Sequence, residues 1–242
     1  MSGPVRGVLF DKDGTLTDFK KTWVPGLLSA ARHLAVLHAL DTDPDALTRA
    51  AGGDPQQKSI APGSLLAQGT ATEVAELWCA LAPGLPALHE TAASLDAYWL
   101  DHAARTLTPA CDLEKLFSAL RARDIQIGIV TNDAERGARD LIETFGLRDQ
   151  VDFVAGYDSG HRPKPAPDMI EAFLRARGME AADTVMIGDS KADMEAGRAA
   201  GCRATIGVLT GATPEPQLAD LADFVIADAG HLPSLLFSGA LT

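Results

Sequence analysis

The sequence predicts an α/β fold in which a doubly wound parallel sheet carries an inserted all-helical subdomain. Three observations predict it. Short apolar runs alternate with helical patterns through the second half of the chain, a long block behind the first run shows helical periodicity only, and polar residues gather where the apolar runs end.

The elements follow in order. Residues 5–10 form the first apolar run, and residues 125–130, 151–155, 184–187 and 204–208 form four more, ending at Gly, Asp, Thr or Asn. Unbroken apolar runs of this length read as parallel strands buried on both faces. Helical patterns over 112–123, 133–145, 167–177 and 191–200 separate the later runs, the alternation of a doubly wound, Rossmann-like sheet. Asp112 and Asp133 stand where helices are capped, and Gly146, Gly178 and Gly201 stand where a left-handed residue ends one. A short strand over 224–226 and a tail over 232–237 are expected to close the sheet edge.

Residues 17–105 behave differently. Leu27, Leu28, Ala31, Leu34 and Ala35 recur at helical spacing, further helices are expected at 44–51, 71–81 and 86–107, and residues 52–69 read as a loop rich in Gly, Pro and Ser. A plain crossover helix needs only ~10 to 15 residues, so this block is a second subdomain. The expected organisation is a core of residues 1–16 and 106–242 with a helical insertion at 17–105.

Composition narrows the function classes. With 46% hydrophobic and 22% charged residues the chain is ordinary for a globular domain, and no apolar stretch approaches a membrane span. The net charge of −12 repels nucleic-acid phosphates and anionic lipid, so neither nucleic acid nor membrane is an expected partner. Only three apolar residues, Val8 to Phe10, precede the charged Asp11, Lys12 and Asp13, which is no signal-peptide core, and a cytoplasmic location is expected. Cys79, Cys111 and Cys202 are too widely spaced for a zinc site and read as reduced thiols.

The chemistry concentrates at strand ends. The first strand runs into Asp11-Lys12-Asp13-Gly14-Thr15, placing two carboxylates where open α/β sheets bind ligands. Clustered carboxylates repel, and a hard divalent cation, Mg²⁺ above all, relieves them; a solvated acidic turn is the plain alternative. The second strand ends at Thr131-Asn132, a hydroxyl and an amide ahead of a helix whose first N–H groups can bind phosphate. Lys164 is stiffened by Pro163 and Pro165, and Gly188-Asp189-Ser190-Lys191-Ala192-Asp193 follows another strand. Singly, each has a bland explanation: Asp189 or Asp193 as a helix cap, Thr131 as a strand end, Lys164 as a solvated cation. Together they line one sheet edge.

The ordered set Asp11-x-Asp13-Gly14-Thr15, Thr131, Lys164 and Gly188-Asp189-x-x-x-Asp193 resembles the four motifs of the haloacid dehalogenase superfamily of phosphohydrolases. The insertion resembles the C1-type helical cap of its phosphoglycolate phosphatase-like branch. The resemblance implies that Asp11 is the nucleophile, forming an aspartyl-phosphate, and that Asp13 is the general acid and then the base for water. It implies a Mg²⁺ ion held by the side chains of Asp11 and Asp189 and the backbone carbonyl of Asp13, with Asp193 acting through water or another ligand. Thr131 and Lys164 would hold the phosphoryl oxygens, donors worth on the order of 3 to 4 kcal/mol each in the transition state. Gly14 and Asn132 complete the implied phosphate site, Gly14 by permitting close backbone approach.

Asp13 favours phosphoryl transfer, since the family's true dehalogenases lack this second aspartate. The phosphonate-cleaving branch uses a cap lysine as a Schiff base, and Lys20, Lys21 and Lys58 have no context for that role. Lys12 is expected to point away from the site into a surface or inter-strand ion pair. Within the insertion Lys20, Lys21, Trp23 and Ser64 are candidate substrate contacts, against the plain reading that the lysines are solvated and Trp23 packs a helix. Asp158 either orients the lysine or metal shell or forms a turn. The expected partner is a small phosphomonoester; a phosphomutase or a non-catalytic binding protein are the alternatives. The sequence carries no sign of oligomeric state.

Overall fold

The computed structural model describes residues 3–61 and 63–238. The chain forms two compact units, one comprising the chain up to Asp18 and again from Pro109, the other Phe19–Thr108.

In chain order, β1 (Gly7–Phe10) opens the first unit. The second unit contains α1 (Phe19–Thr22), α2 (Val24–Leu37), α3 (Pro44–Ala50), β2 (Gly53–Asp54), β3 (Ser59–Ile60), α4 (Leu65–Gln68), α5 (Ala71–Leu81) and α6 (Leu88–Thr106). The first unit resumes with α7 (Leu113–Arg121), β4 (Gln126–Val130), α8 (Glu135–Thr144), β5 (Phe153–Ala155), α9 (Asp168–Arg177), β6 (Thr184–Gly188), α10 (Lys191–Ala200), β7 (Ala204–Val208), α11 (Glu215–Leu221), β8 (Phe224–Ile226) and α12 (Leu232–Phe237).

The sheet order is β5-β4-β1-β6-β7-β8, and every neighbouring pair is parallel. Strand β1 is therefore the switch point: the chain leaves it for β4 on one side and reaches β6 on the other. Phe10 is in register with Ile129 and Ile187, so the residues after β1, β4 and β6 emerge side by side at one carboxyl edge. Open α/β sheets hold ligands in such a crevice.

Alternation along β1 explains the two layers. Val8 and Phe10 join a cluster with Leu116 and Phe117 of α7 and Leu141 of α8, while Leu9 joins Ile170 and Phe173 of α9 and Ala196 of α10 on the opposite face. The caps also follow the side-chain chemistry. Asp112 accepts from the Lys115 amide at 3.0 Å, and Gly146, Gly178 and Gly201 are left-handed.

Four expectations change. The second unit is not all-helical: β2 and β3 pair antiparallel within the stretch read as a loop. Asp54 Oδ1 accepts from the amides of Gln56 and Gln57, each at 2.9 Å, closing the turn between them. Helix α11 was not anticipated. The junctions fall at residues 18/19 and 108/109 instead of 16/17 and 105/106, because Thr17 bridges Pro109 and the Ala110 amide donates to Leu16 O. Finally, α8 is not capped by Asp133. Its first helical amide, that of Glu135, donates to Asp158 Oδ1 at 2.8 Å from the loop after β5.

Candidate active site

The crevice at the end of β1 collects the charged residues from four loops. Asp11, the first residue beyond β1, is anchored by its own amide donating to Ile187 O at 2.9 Å. The chain then turns tightly, with the amides of Leu16 and Thr17 donating to Lys12 O at 2.9 and 3.0 Å. Gly14 has φ of +81°, and a Cβ there would stand 2.7 Å from Asp189 Cγ. A glycine is required on both counts.

Lys164 reaches into this crevice and is 5% exposed. Its ammonium donates to Asp11 Oδ1 at 2.6 Å, Asp193 Oδ1 at 2.5 Å and Val130 O at 2.9 Å. Its backbone is held twice by Asn132, whose amide nitrogen donates to Lys164 O and whose Oδ1 accepts from the Lys164 amide, both at 2.8 Å. The side chain expected to contact phosphate thus also holds the lysine loop, because the end of β4 lies against that loop, and its amide keeps one further N–H to donate.

Asp193 has two partners. One oxygen takes Lys164, while Oδ2 accepts from the Ser190 amide at 3.0 Å and hydroxyl at 2.6 Å, a reciprocal cap on α10. Ser190 is thereby assigned a capping role. Asp189 Oδ2 accepts from the Ala212 amide at 3.1 Å, and a Cβ on Gly211 would overlap the Asp189 carboxylate. The loop after β7 was missed by sequence reasoning, although β7 ends at the same edge as the strands already marked. It also supplies Thr210, whose hydroxyl donates to Gly14 O at 2.7 Å.

Asp11, Asp189 and Asp193 are all buried, and they present carboxylate oxygens within 4.8 Å of one another. Three carboxylates against one ammonium leave two negative charges, which a divalent cation balances. An all-oxygen donor set suits a hard ion such as Mg²⁺. The Asp193 carboxylate belongs to this cluster, and that of Asp13 does not.

Burial pushes the Asp11 carboxyl up to about 7, with Lys164 opposing the rise and Asp193 and Asp13 adding to it. Burial, then Asp11 and Asp193, raises Asp189 well above the usual carboxylate range. Burial would lower the Lys164 ammonium, but Asp11 and Asp193 outweigh it and keep the lysine charged.

The Oδ2 of Asp13 lies 2.5 Å from Lys12 Nζ, and its Oδ1 accepts from the Thr17 hydroxyl at 3.3 Å. Of the two settings expected for Lys12, a surface or an inter-strand ion pair, the structure has a buried pair that links the ends of β1 and β4 through Asp13 and Asp133. Thr131 is buried, and its Oγ1 accepts from the Asp133 amide at 3.0 Å, which leaves its own hydrogen for another acceptor. The Ala134 and Glu135 amides at the start of α8 are taken by Asp133 and Asp158, so they are not the open phosphate donors expected from the sequence.

In the second unit Lys20 and Lys21 are exposed on α1, and Trp23 packs against the apolar cluster built from α2, α3, α5 and α6. Ser64 Oγ is buried with no hydrogen-bond partner among the described residues.

The haloacid dehalogenase-like hydrolase family matches residues 5–201. The chain belongs to that family. It is accordingly an enzyme, and its relatives place it among the phosphoric monoester hydrolases. It is 30% identical over 208 residues to the phosphoglycolate phosphatase of Neisseria gonorrhoeae, covering 86% of this chain and 81% of that protein. A Thermotoga maritima structure bearing the name of a β-phosphoglucomutase superposes with a TM-score of 0.73 at 17% identity, over 97% of this chain and 99% of that one. A subfamily IA haloacid dehalogenase hydrolase from Geobacter sulfurreducens gives 0.69 at 17%, over 98% and 100%. These two structures establish the fold. Among the described residues no helix is long and apolar enough to cross a membrane.

Proposed function

We propose that this haloacid dehalogenase-like hydrolase is a Mg²⁺-dependent phosphatase of a small phosphomonoester, with phosphoglycolate the leading candidate, acting through an aspartyl-phosphate on Asp11. The observation that carries the reading is the buried group of Asp11, Asp189 and Asp193 around Lys164 at the sheet's switch point.

Asp11 attacks phosphorus in line, and the bond from phosphorus to the leaving oxygen breaks as the carboxylate–phosphorus bond forms. Lys164 and the Thr131 hydroxyl hold the phosphoryl oxygens, aimed donors that need no reorganisation as charge moves. Asp13 gives its proton to the departing alkoxide. It then takes one from the water that cleaves the acyl phosphate, releasing phosphate and restoring Asp11. Asp11 and Asp189 would hold the Mg²⁺ ion with the Asp13 carbonyl, and Asp193 would support them through Lys164. When bound, Mg²⁺ supplies positive charge that screens the anionic nucleophile from the anionic substrate. Three free cysteines suit the reducing cytoplasm, where we place the enzyme.

The test is phosphate release from a panel of phosphomonoesters with and without Mg²⁺, with Asp11→Asn as control. Release that needs both the metal and Asp11 is expected. No release from any ester, or release that survives the substitution, overturns the mechanism. Interconversion of sugar phosphates without net release selects a phosphomutase.

A further inference from the structure

Lys12 lies between the two aspartates of the first motif, and its buried ammonium bridges two carboxylates. It lies 2.5 Å from Asp13 Oδ2 and 2.9 Å from Asp133 Oδ2. Asp133 is itself fixed by its chain neighbours and by the loop after β5: its amide donates to Thr131 Oγ1 at 3.0 Å, its Oδ1 accepts from the Ala134 amide at 2.8 Å, and its carbonyl accepts from the Tyr157 amide at 3.0 Å. One residue of the helix that follows bears on the same pair. Gly137 sits inside α8, where glycine is disfavoured relative to alanine. A Cβ at that position would stand 2.7 Å from Asp133 Oδ2 and 3.8 Å from Lys12 Cε. The helix gives up an alanine-like side chain at the one place that the Asp133 carboxylate needs to reach Lys12.

We infer that Lys12 is a positioning residue for the Asp13 carboxyl, braced by Asp133 at the start of α8 and accommodated by Gly137. The inference rests on the proposed role of Asp13 as acid and base. A carboxyl on a tight turn can rotate about two side-chain bonds. A buried cation tied to a second element restricts that rotation and registers Asp13 to the segment carrying Thr131, so proton donor and phosphoryl-binding hydroxyl share one frame. Thr17 adds a longer contact to the other Asp13 oxygen.

The chemistry provides a readout that general loosening would not mimic. An alkyl leaving group departs only with a proton, whereas p-nitrophenolate leaves without one, and kcat/KM reports steps up to that departure. Mg²⁺-loaded wild type, Lys12→Met, Lys12→Arg, Asp133→Asn and Gly137→Ala are compared on an alkyl phosphomonoester turned over by wild type and on p-nitrophenyl phosphate. Lys12→Met is expected to lower kcat/KM for the alkyl ester about 10- to 100-fold, and for the aryl ester by less than about threefold, with Lys12→Arg recovering part of the loss. Gly137→Ala is expected to show the same selective loss while its melting temperature holds or rises. Equal losses on both esters, or none on either, overturn the inference. Should Lys12→Met fail to fold, a folded Gly137→Ala with wild-type alkyl-ester turnover overturns it equally. Wild type inactive on every ester overturns the proposed function and this inference together, an outcome distinguished by needing no variant.

Discussion

Asn132 and Lys164 are joined by two hydrogen bonds of 2.8 Å, one in each direction, so the residue after the second strand sets the backbone of the lysine loop. The Lys164 ammonium then spans Asp11 and Asp193, and an error at Asn132 is transmitted directly to the nucleophile. Asn132→Ala is expected to lower kcat at least tenfold and to destabilise the fold by about 1 to 3 kcal/mol, since both Lys164 backbone groups lose a partner. Steady-state kinetics and urea denaturation check both.

Lys164 is the one cation paired with Asp11 and Asp193 among the described residues. Lys164→Met is expected to abolish turnover and to destabilise the metal-free protein by roughly 3 to 5 kcal/mol at neutral pH, because buried carboxylates are left uncompensated. Thermal melts with and without Mg²⁺ are the measurement, and the ion should restore part of the loss.

The Asp11 carboxyl, ordinarily near 3.8, is raised to about 7 by burial. Its folded state therefore binds a proton more tightly than the unfolded state. This group's contribution is present below about pH 4 and declines as pH rises through about 7, so metal-free stability falls across that window. Mg²⁺ competes with that proton, and the rise in melting temperature on adding Mg²⁺ is expected to be larger at pH 8 than at pH 5.5. A shift independent of pH would separate the Asp11 carboxylate from metal binding.

Gly211 leaves room for the Asp189 carboxylate, which a Cβ would overlap. Gly211→Ala is expected to weaken Mg²⁺ affinity about 10- to 100-fold through displacement of Asp189, with the core sheet intact. Activity against Mg²⁺ concentration, alongside far-ultraviolet circular dichroism, checks it.

Burial, with Asp228 and Asp112 adding to it, pushes the Cys111 thiol up to about 12. Only the thiolate is alkylated, so native Cys111 is expected to react with iodoacetamide at pH 8 roughly 1,000-fold more slowly than in the unfolded chain. Peptide mass spectrometry after timed quenching measures this.

Much of the site was legible because strands buried on both faces announce themselves as apolar runs, and the residue after each run is then marked as lying at the sheet edge. Asp11, Thr131 and Asp189 were located in this way, and Lys164 by its flanking prolines. Asn132 was placed at that edge, but its bonds to the Lys164 backbone were not foreseen, since an amide's choice of backbone partner depends on which loop folds beside it. Gly211 and Ala212 were missed because their contribution is the absence of a side chain and a backbone N–H, neither of which has a residue signature.

The sequence alone determined the α/β class, the insertion between the first strand and the rest, and the set of carboxylates, hydroxyl and lysine at one edge, because each follows from local periodicity and strand polarity. Only the tertiary structure decided who pairs with whom. Lys12 turned inward to Asp13 and Asp133, Asp158 capped α8 in place of Asp133, and Asp193 joined Lys164 while holding Ser190. Charges and caps act over a few ångströms between loops far apart in the chain, and that proximity is fixed by the order and register of the strands, not by any one segment.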